Sequence, residues 1–164
     1  MELKKHFNLA KVFGAIYVVA FLVYLFYGLQ PAEATPIQAD ATLEIPSINL
    51  DIPVAKVQLV DHELETPDTI VGSFSNHHNK TLLFGHSTTA FSELKSINID
   101  DSIYYNGEIY QVTQIDTLEK KDINMDEILS ESPKDTLILM TCAGELLDGG
   151  DATHRLIVEA VKLS

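Results

Sequence analysis

Between Leu43 and Leu163 the apolar residues of this chain arrive in short β-type runs, each soon cut by Pro, Gly, Asn or Asp. Such runs are too short to make long helices and too many to leave unpaired. The sharpest local signal is "DSIYYNGEIYQVTQI", where Asn106-Gly107 stands between two β-rich runs and predicts a tight hairpin. Upstream, "TLEIPSINLDIPV" reads as two short strands, with Pro46 and Pro53 at edges or bends. In "TPDTIVGSF", Thr66 as N-cap and Pro67 behind it predict a helical turn before a strand. "KTLLFGHS" reads as a buried strand ending at Gly85-His86. "AFSELKSI" spaces Phe91, Leu94 and Ile97 as one or two helical turns, and "NMDEILSES" is a further short helix. "DTLILMTC" and "RLIVEAVKL" are the last two strands. The whole is mainly β with two or three short helices, and many short strands closing on themselves suggest a small barrel.

Ahead of this domain lies a different kind of segment. Hydrophobic residues make up 46% of the 164, and the excess is local. Residues 12–29 carry no charge and would span ~27 Å as a helix, close to a bilayer's hydrocarbon thickness. The run is apolar around its whole circumference, unlike a surface helix. Lys4, Lys5 and Lys11 precede it, and Glu33 and Asp40 follow. The positive-inside rule therefore puts residues 1–11 in the cytoplasm, 12–29 in the membrane as a single-pass anchor, and the rest outside. Ala32-Glu33-Ala34 also resembles a signal-peptide cleavage site, but the apolar run exceeds the usual signal core of ~7–15 residues, which favours an uncleaved anchor. A linker rich in Ala, Pro and Thr fills 30–41, and the domain occupies 42–164. A net charge of −13 and the lack of a basic patch argue against nucleic-acid binding.

The chemistry concentrates near the C-terminus. Cys142 is the chain's single cysteine, so no internal disulfide is possible. It closes an apolar run and is expected to cap a strand, where a scaffold can present a thiol to a cleft. A buried structural cysteine is the plainer alternative. Arg155 is expected to begin the following strand, beside Cys142 if the two strands pair. A guanidinium there could hold a developing oxyanion, or it could make an ordinary surface ion pair. A cysteine nucleophile also wants a base. His6 lies before the anchor, and His62, His77 and His78 sit in polar, loop-like surroundings. His86 ends an apolar strand directly after a glycine, and His154 beside Arg155 competes with it.

Taken in order, "TLLFGHS", "LILMTC" and "HRLIVEA" resemble the signature of the sortases, membrane-anchored cysteine transpeptidases. The family's T-L-x-T-C reads here as Ile138-Leu139-Met140-Thr141-Cys142, with Ile in place of the first Thr. The resemblance covers roughly Leu43 to Leu163. It implies a closed eight-stranded sortase-type β-barrel behind one N-terminal transmembrane helix. It implies that Cys142 attacks the Thr–Gly bond of an L-P-x-T-G-like sorting signal on an exported protein. A thioacyl-enzyme forms, and an amine from a cell-wall precursor or a pilin lysine resolves it. His86 would serve as acid and base, Arg155 would support substrate and oxyanion, and Thr141 would assist. The short loop "SNHHNK" and a linker without an aromatic lid motif resemble a small housekeeping-like or minor class. "DTLEKKDINMDEILSES" is then the connection that shapes the sorting-signal pocket. Some sortases bind calcium near it; Glu108, Asp116 and Glu119 are acidic residues in reach, but no metal and no cofactor is assigned. Two other readings remain. One is an exported transpeptidase of the L,D-transpeptidase type, whose Ser-x-Gly-Cys setting "LMTC" lacks. The other is an inactive anchored β-barrel binding module.

Overall fold

The computed structural model describes residues 39–60, 63–64, 66–75, 79–147 and 151–163. The expected anchor at 12–29 lies outside them, as do His6, His62, His77 and His78. Among the described residues no helix is long and apolar enough to cross a membrane.

The strands run β1 (Ala41–Ile45), β2 (Leu50–Lys56), β3 (Leu59–Val60), β4 (Glu63–Leu64), β5 (Val71–Ser75), β6 (Lys80–Phe84), β7 (Ser102–Tyr105), β8 (Glu108–Glu119), β9 (Thr136–Leu146) and β10 (Ala152–Lys162). Eight of them close into a barrel in the order β1-β2-β5-β6-β9-β10-β8-β7, while β3 and β4 pair separately. Closure removes the unpaired edges that so many short strands would otherwise expose. The hairpin stands where Asn106-Gly107 predicts it, linking β7 to β8 with φ of 51° and 78°. Two positive φ values at adjacent turn positions suit the right-handed twist of the flanking strands. Most pairings are antiparallel, but β2–β5 and β6–β9 are parallel. The second of these sets β6 beside the strand that carries Cys142.

Alternation along β9 sorts its side chains into two environments. Leu137 and Leu139 enter the barrel interior with Leu43, Val54, Val158 and Ala160. Ile138 and Met140 face outward, where they join Leu82, Phe84 and Ile157 in a second apolar cluster. The connection from β8 to β9 covers this outer cluster. It holds a 3-10 turn (Lys120–Asp122) and one turn of α-helix, α1 (Met125–Ile128), from which Met125 and Ile128 pack onto the barrel wall. The Asn124 side chain caps α1 by accepting from the Asp126 amide at 3.1 Å. The Lys80 ammonium donates to the Ile128 carbonyl at 2.9 Å and holds the α1 end to β6.

Two local expectations change. Residues 66–70 form no helical turn: the chain bends at 68–70, and the Asp68 carbonyl accepts the Thr89 hydroxyl at 2.6 Å. Pro67 is buried there, so tertiary contact overrides the local capping preference. The segment "AFSELKSI" is a run of turns ending in a 3-10 helix (Leu94–Ser96), with Phe91, Leu94 and Ile97 buried in the core.

Candidate active site

Cys142 and Arg155 lie inside their strands, not at the ends. β9 continues four residues past the cysteine, and β10 starts three residues before the arginine. The register sets Cys142 directly opposite Arg155. Opposed residues in an antiparallel pair point to one face, with Cβ atoms ~4.5–5.5 Å apart. That face is the outer one. Met140 and Ile157, the preceding outward pair, belong to the outer cluster. Thr141 and Leu156, between the two pairs, face the interior.

His86 joins the same row from the other side. In the parallel pair Phe84 lies beside Met140, and the Gly85 amide donates to the Met140 carbonyl at 3.4 Å, extending the pairing past β6. Carried two residues past the end of β6, the same alternation would bring His86 to the level of Cys142. On that extension, one row would read His86, Cys142, Arg155. With strands ~4.8 Å apart, the outer two backbones of such a row would be about 10 Å apart, with the Cys142 backbone between them. Cys142 and His86 are each half-buried, which suits groups that must meet a solute.

Each side chain has a reason to be where it is. At Gly85 an added Cβ would lie 3.0 Å from the Ala90 Cβ and 3.3 Å from the Phe91 ring. Glycine therefore lets the turn after His86 pack tightly on the strand end. That turn closes when the Phe91 amide donates to the His86 carbonyl at 2.9 Å. Thr141 is buried, and its hydroxyl donates to the Gly85 carbonyl at 2.7 Å. This bond ties the strand of Cys142 to the residue before His86. A neutral hydrogen bond of this kind contributes about 1 kcal/mol.

The Arg155 side chain is only 16% exposed. Its Nη1 donates to the carbonyls of Ala152 (3.0 Å) and His154 (2.9 Å), and its Nη2 to the Asp151 carboxylate at 2.7 Å. Asp151 also pairs with Lys120 and accepts the Ala152 amide at 2.8 Å. The Lys120 bond first, then the bond from Arg155 and that from the Ala152 amide, hold the Asp151 carboxyl well below the usual carboxylate range.

His154 faces away from this row. It pairs with Ala143, opposite in alternation to Arg155, and its Nδ1 lies 2.8 Å from the Thr153 hydroxyl. Thr153 in turn accepts the Glu145 amide at 3.0 Å. These contacts surround an irregularity in the β9–β10 register centred on Gly144, which has φ of 77°. A Cβ there would fall 2.5 Å from the Thr153 Oγ1 and 2.6 Å from the His154 Nδ1. Gly144→Ala is therefore expected to cost about 1–3 kcal/mol in denaturant unfolding. An unchanged midpoint would show that this bulge relaxes freely.

The acidic residues considered for calcium do not converge. Asp116 accepts from the Gln114 amide group at 2.6 Å, Glu119 pairs with Lys121 at 2.8 Å, and Glu108 pairs with Lys162 at 3.1 Å. Among the described residues no group of three or more His, Cys, Asp or Glu is placed to hold a metal ion. Residues that sequence reasoning missed are Asp151, Gly144 and Leu118. Leu118 lies opposite Arg155 on β8, extends the outer row, and is exposed.

Residues 43–163 match the family model described as Sortase domain. Among solved structures, the chain is similar to a lid mutant of sortase A from Corynebacterium diphtheriae, with 25% identity, 83% of this chain and 75% of that chain covered, and a TM-score of 0.59. Sortase C from Clostridium perfringens SM101 matches at 23% identity, covering 87% of this chain and 82% of that one, with a TM-score of 0.56. Sortase A from Listeria monocytogenes matches at 15% identity over 77% and 88%, with a TM-score of 0.58. The last two likenesses bear on the fold alone. A comparison with curated proteins finds no match.

Proposed function

The chain belongs to the sortase family, and from that premise we propose that it is an active cysteine transpeptidase that cuts an L-P-x-T-G-like sorting signal and passes the acyl part to an amine. What supports this reading is the register that sets Cys142 opposite Arg155 on β9 and β10, with His86 two residues past the end of β6, the strand on the other side of β9. The Cys142 thiolate attacks the carbonyl carbon of the Thr–Gly bond. Negative charge moves to the carbonyl oxygen, where Arg155 donates hydrogen bonds. As the C–N bond breaks, His86 gives its proton to the departing amine, leaving a thioester on the sulfur. The acceptor amine attacks that thioester, His86 takes its proton, and sulfur leaves as thiolate. Half-buried Met140, one row along the wall from Cys142 at the margin of the connection over residues 120–135, offers an apolar contact for the Leu-Pro end of the signal. No step needs a cofactor. The acceptor is an amine of a cell-wall precursor or of a pilin subunit, and residues 12–29 anchor the enzyme with its domain outside the cell.

The test is incubation of the purified full chain, in detergent, with a library of L-P-x-T-G-like peptides and several amines, read by mass spectrometry. Expected products are a thioacyl adduct on Cys142 and an amide to the added amine. No adduct with any peptide, from folded protein with a reactive thiol, would favour the inactive binding module. Arg155→Ala is expected to lower kcat/KM by ~10²–10³, the usual loss for one oxyanion donor. A smaller loss than tenfold in steady-state kinetics would return Arg155 to a structural ion pair.

A further inference from the structure

The Asp151 carboxylate accepts from three directions: the Arg155 Nη2, the Ala152 amide and the Lys120 ammonium. These donors come from the entrance of β10 and from the residue just after β8. We propose that Asp151 is a positioning residue, which locks the Arg155 guanidinium in the orientation that serves the carbonyl oxygen of the scissile bond. This rests on the reading of Arg155 given above.

An arginine has five N–H donors in a rigid plane. Both Nη1 hydrogens go to the carbonyls of Ala152 and His154, and one Nη2 hydrogen goes to Asp151. That leaves Nε–H and one Nη2–H for a substrate oxygen. Two backbone carbonyls hold only Nη1, so the plane could still pivot about that nitrogen. The carboxylate fixes the second nitrogen and removes the pivot. A carboxylate alone would also cancel the positive charge that an oxyanion needs. Lys120 answers this, because two cations on one carboxylate leave the trio with a net positive charge.

An ordinary exposed ion pair makes a different prediction. Asp151 is 38% exposed, so its loss should matter little to stability. The variants are Asp151→Asn and Asp151→Glu in the full chain, assayed with an internally quenched peptide containing L-P-E-T-G and with 15N-arginine NMR. Asp151→Asn is expected to lower kcat about tenfold with KM nearly unchanged and the melting temperature preserved. Asp151→Glu should recover most of the loss, and Asp151→Asn should add nothing in an Arg155→Ala background. The Nη signals of Arg155, split by slow rotation in the parent, should average in Asp151→Asn. Unchanged Arg155 signals in Asp151→Asn would overturn the proposal whatever the rate does. So would an unchanged kcat in a parent that cleaves the peptide. If the parent cleaves no peptide, the proposed function fails while the NMR result still decides whether Asp151 holds Arg155.

Discussion

Cys142→Ala is expected to abolish peptide cleavage and amine transfer, down to the background of the assay. The reaction is covalent in this reading, and no neighbour can replace the sulfur: the chain has one cysteine. What remains after such a loss is binding and oxyanion support, which cannot form the thioester. The substitution should cost little in stability. Cys142 is half-buried on the outer face, outside both apolar clusters, so removing its sulfur opens no cavity in the core. Thermal melting of the variant should therefore overlay that of the parent, which separates loss of chemistry from loss of fold. Alkylation gives an independent view. A half-buried thiol on the outer face should react with iodoacetamide in the folded protein, and the reaction should stop turnover in proportion. Turnover by Cys142→Ala above a tenth of the parent rate would remove the residue from the mechanism.

The sequence spoke most clearly where the structure is local. Asn106-Gly107 makes its hairpin and Asn124 caps α1, because each depends on neighbours a few residues away. Gly85-His86 ends its strand for a reason the sequence could only hint at, the close packing of Ala90 and Phe91. Long-range facts were not legible. That β6 pairs parallel with β9 follows from a crossover spanning residues 85–135, and no local pattern announces the register. Cys142 looked like a strand cap because its apolar run stops there. The strand in fact continues through Ala143-Gly144-Glu145-Leu146, paired by backbone bonds to β10 and exposed beyond Ala143. Polarity ends a hydrophobic run without ending a strand. The same cause hid Asp151, one acid among many, whose role appears only when Lys120 and Arg155 close on it. The Thr141 hydrogen bond was hidden for a related reason. Its partner, the Gly85 carbonyl, lies 56 residues away on the neighbouring strand end.

His86→Ala is expected to lower kcat by ~10²–10⁴, the range for a lost acid–base group, whereas His154→Ala should stay within a few-fold of the parent. The contrast follows from alternation. Extended past β6, the outward series Leu82, Phe84 would continue to His86 at the level of Cys142, while His154 lies on the other side of β10 from Arg155 with its Nδ1 against Thr153. Both histidines are half-buried, so exposure does not separate them; the face does. The rates should also respond differently to the leaving group. If His86 protonates the departing amine, its loss should matter less for a thioester or activated ester, whose leaving group needs no proton. The ratio of ester to amide turnover should therefore rise in His86→Ala and stay constant in His154→Ala. Equal losses in the two variants, or a rise in that ratio for His154→Ala, would transfer the acid–base role to the other histidine and require the β10 strand to turn its faces near residue 154.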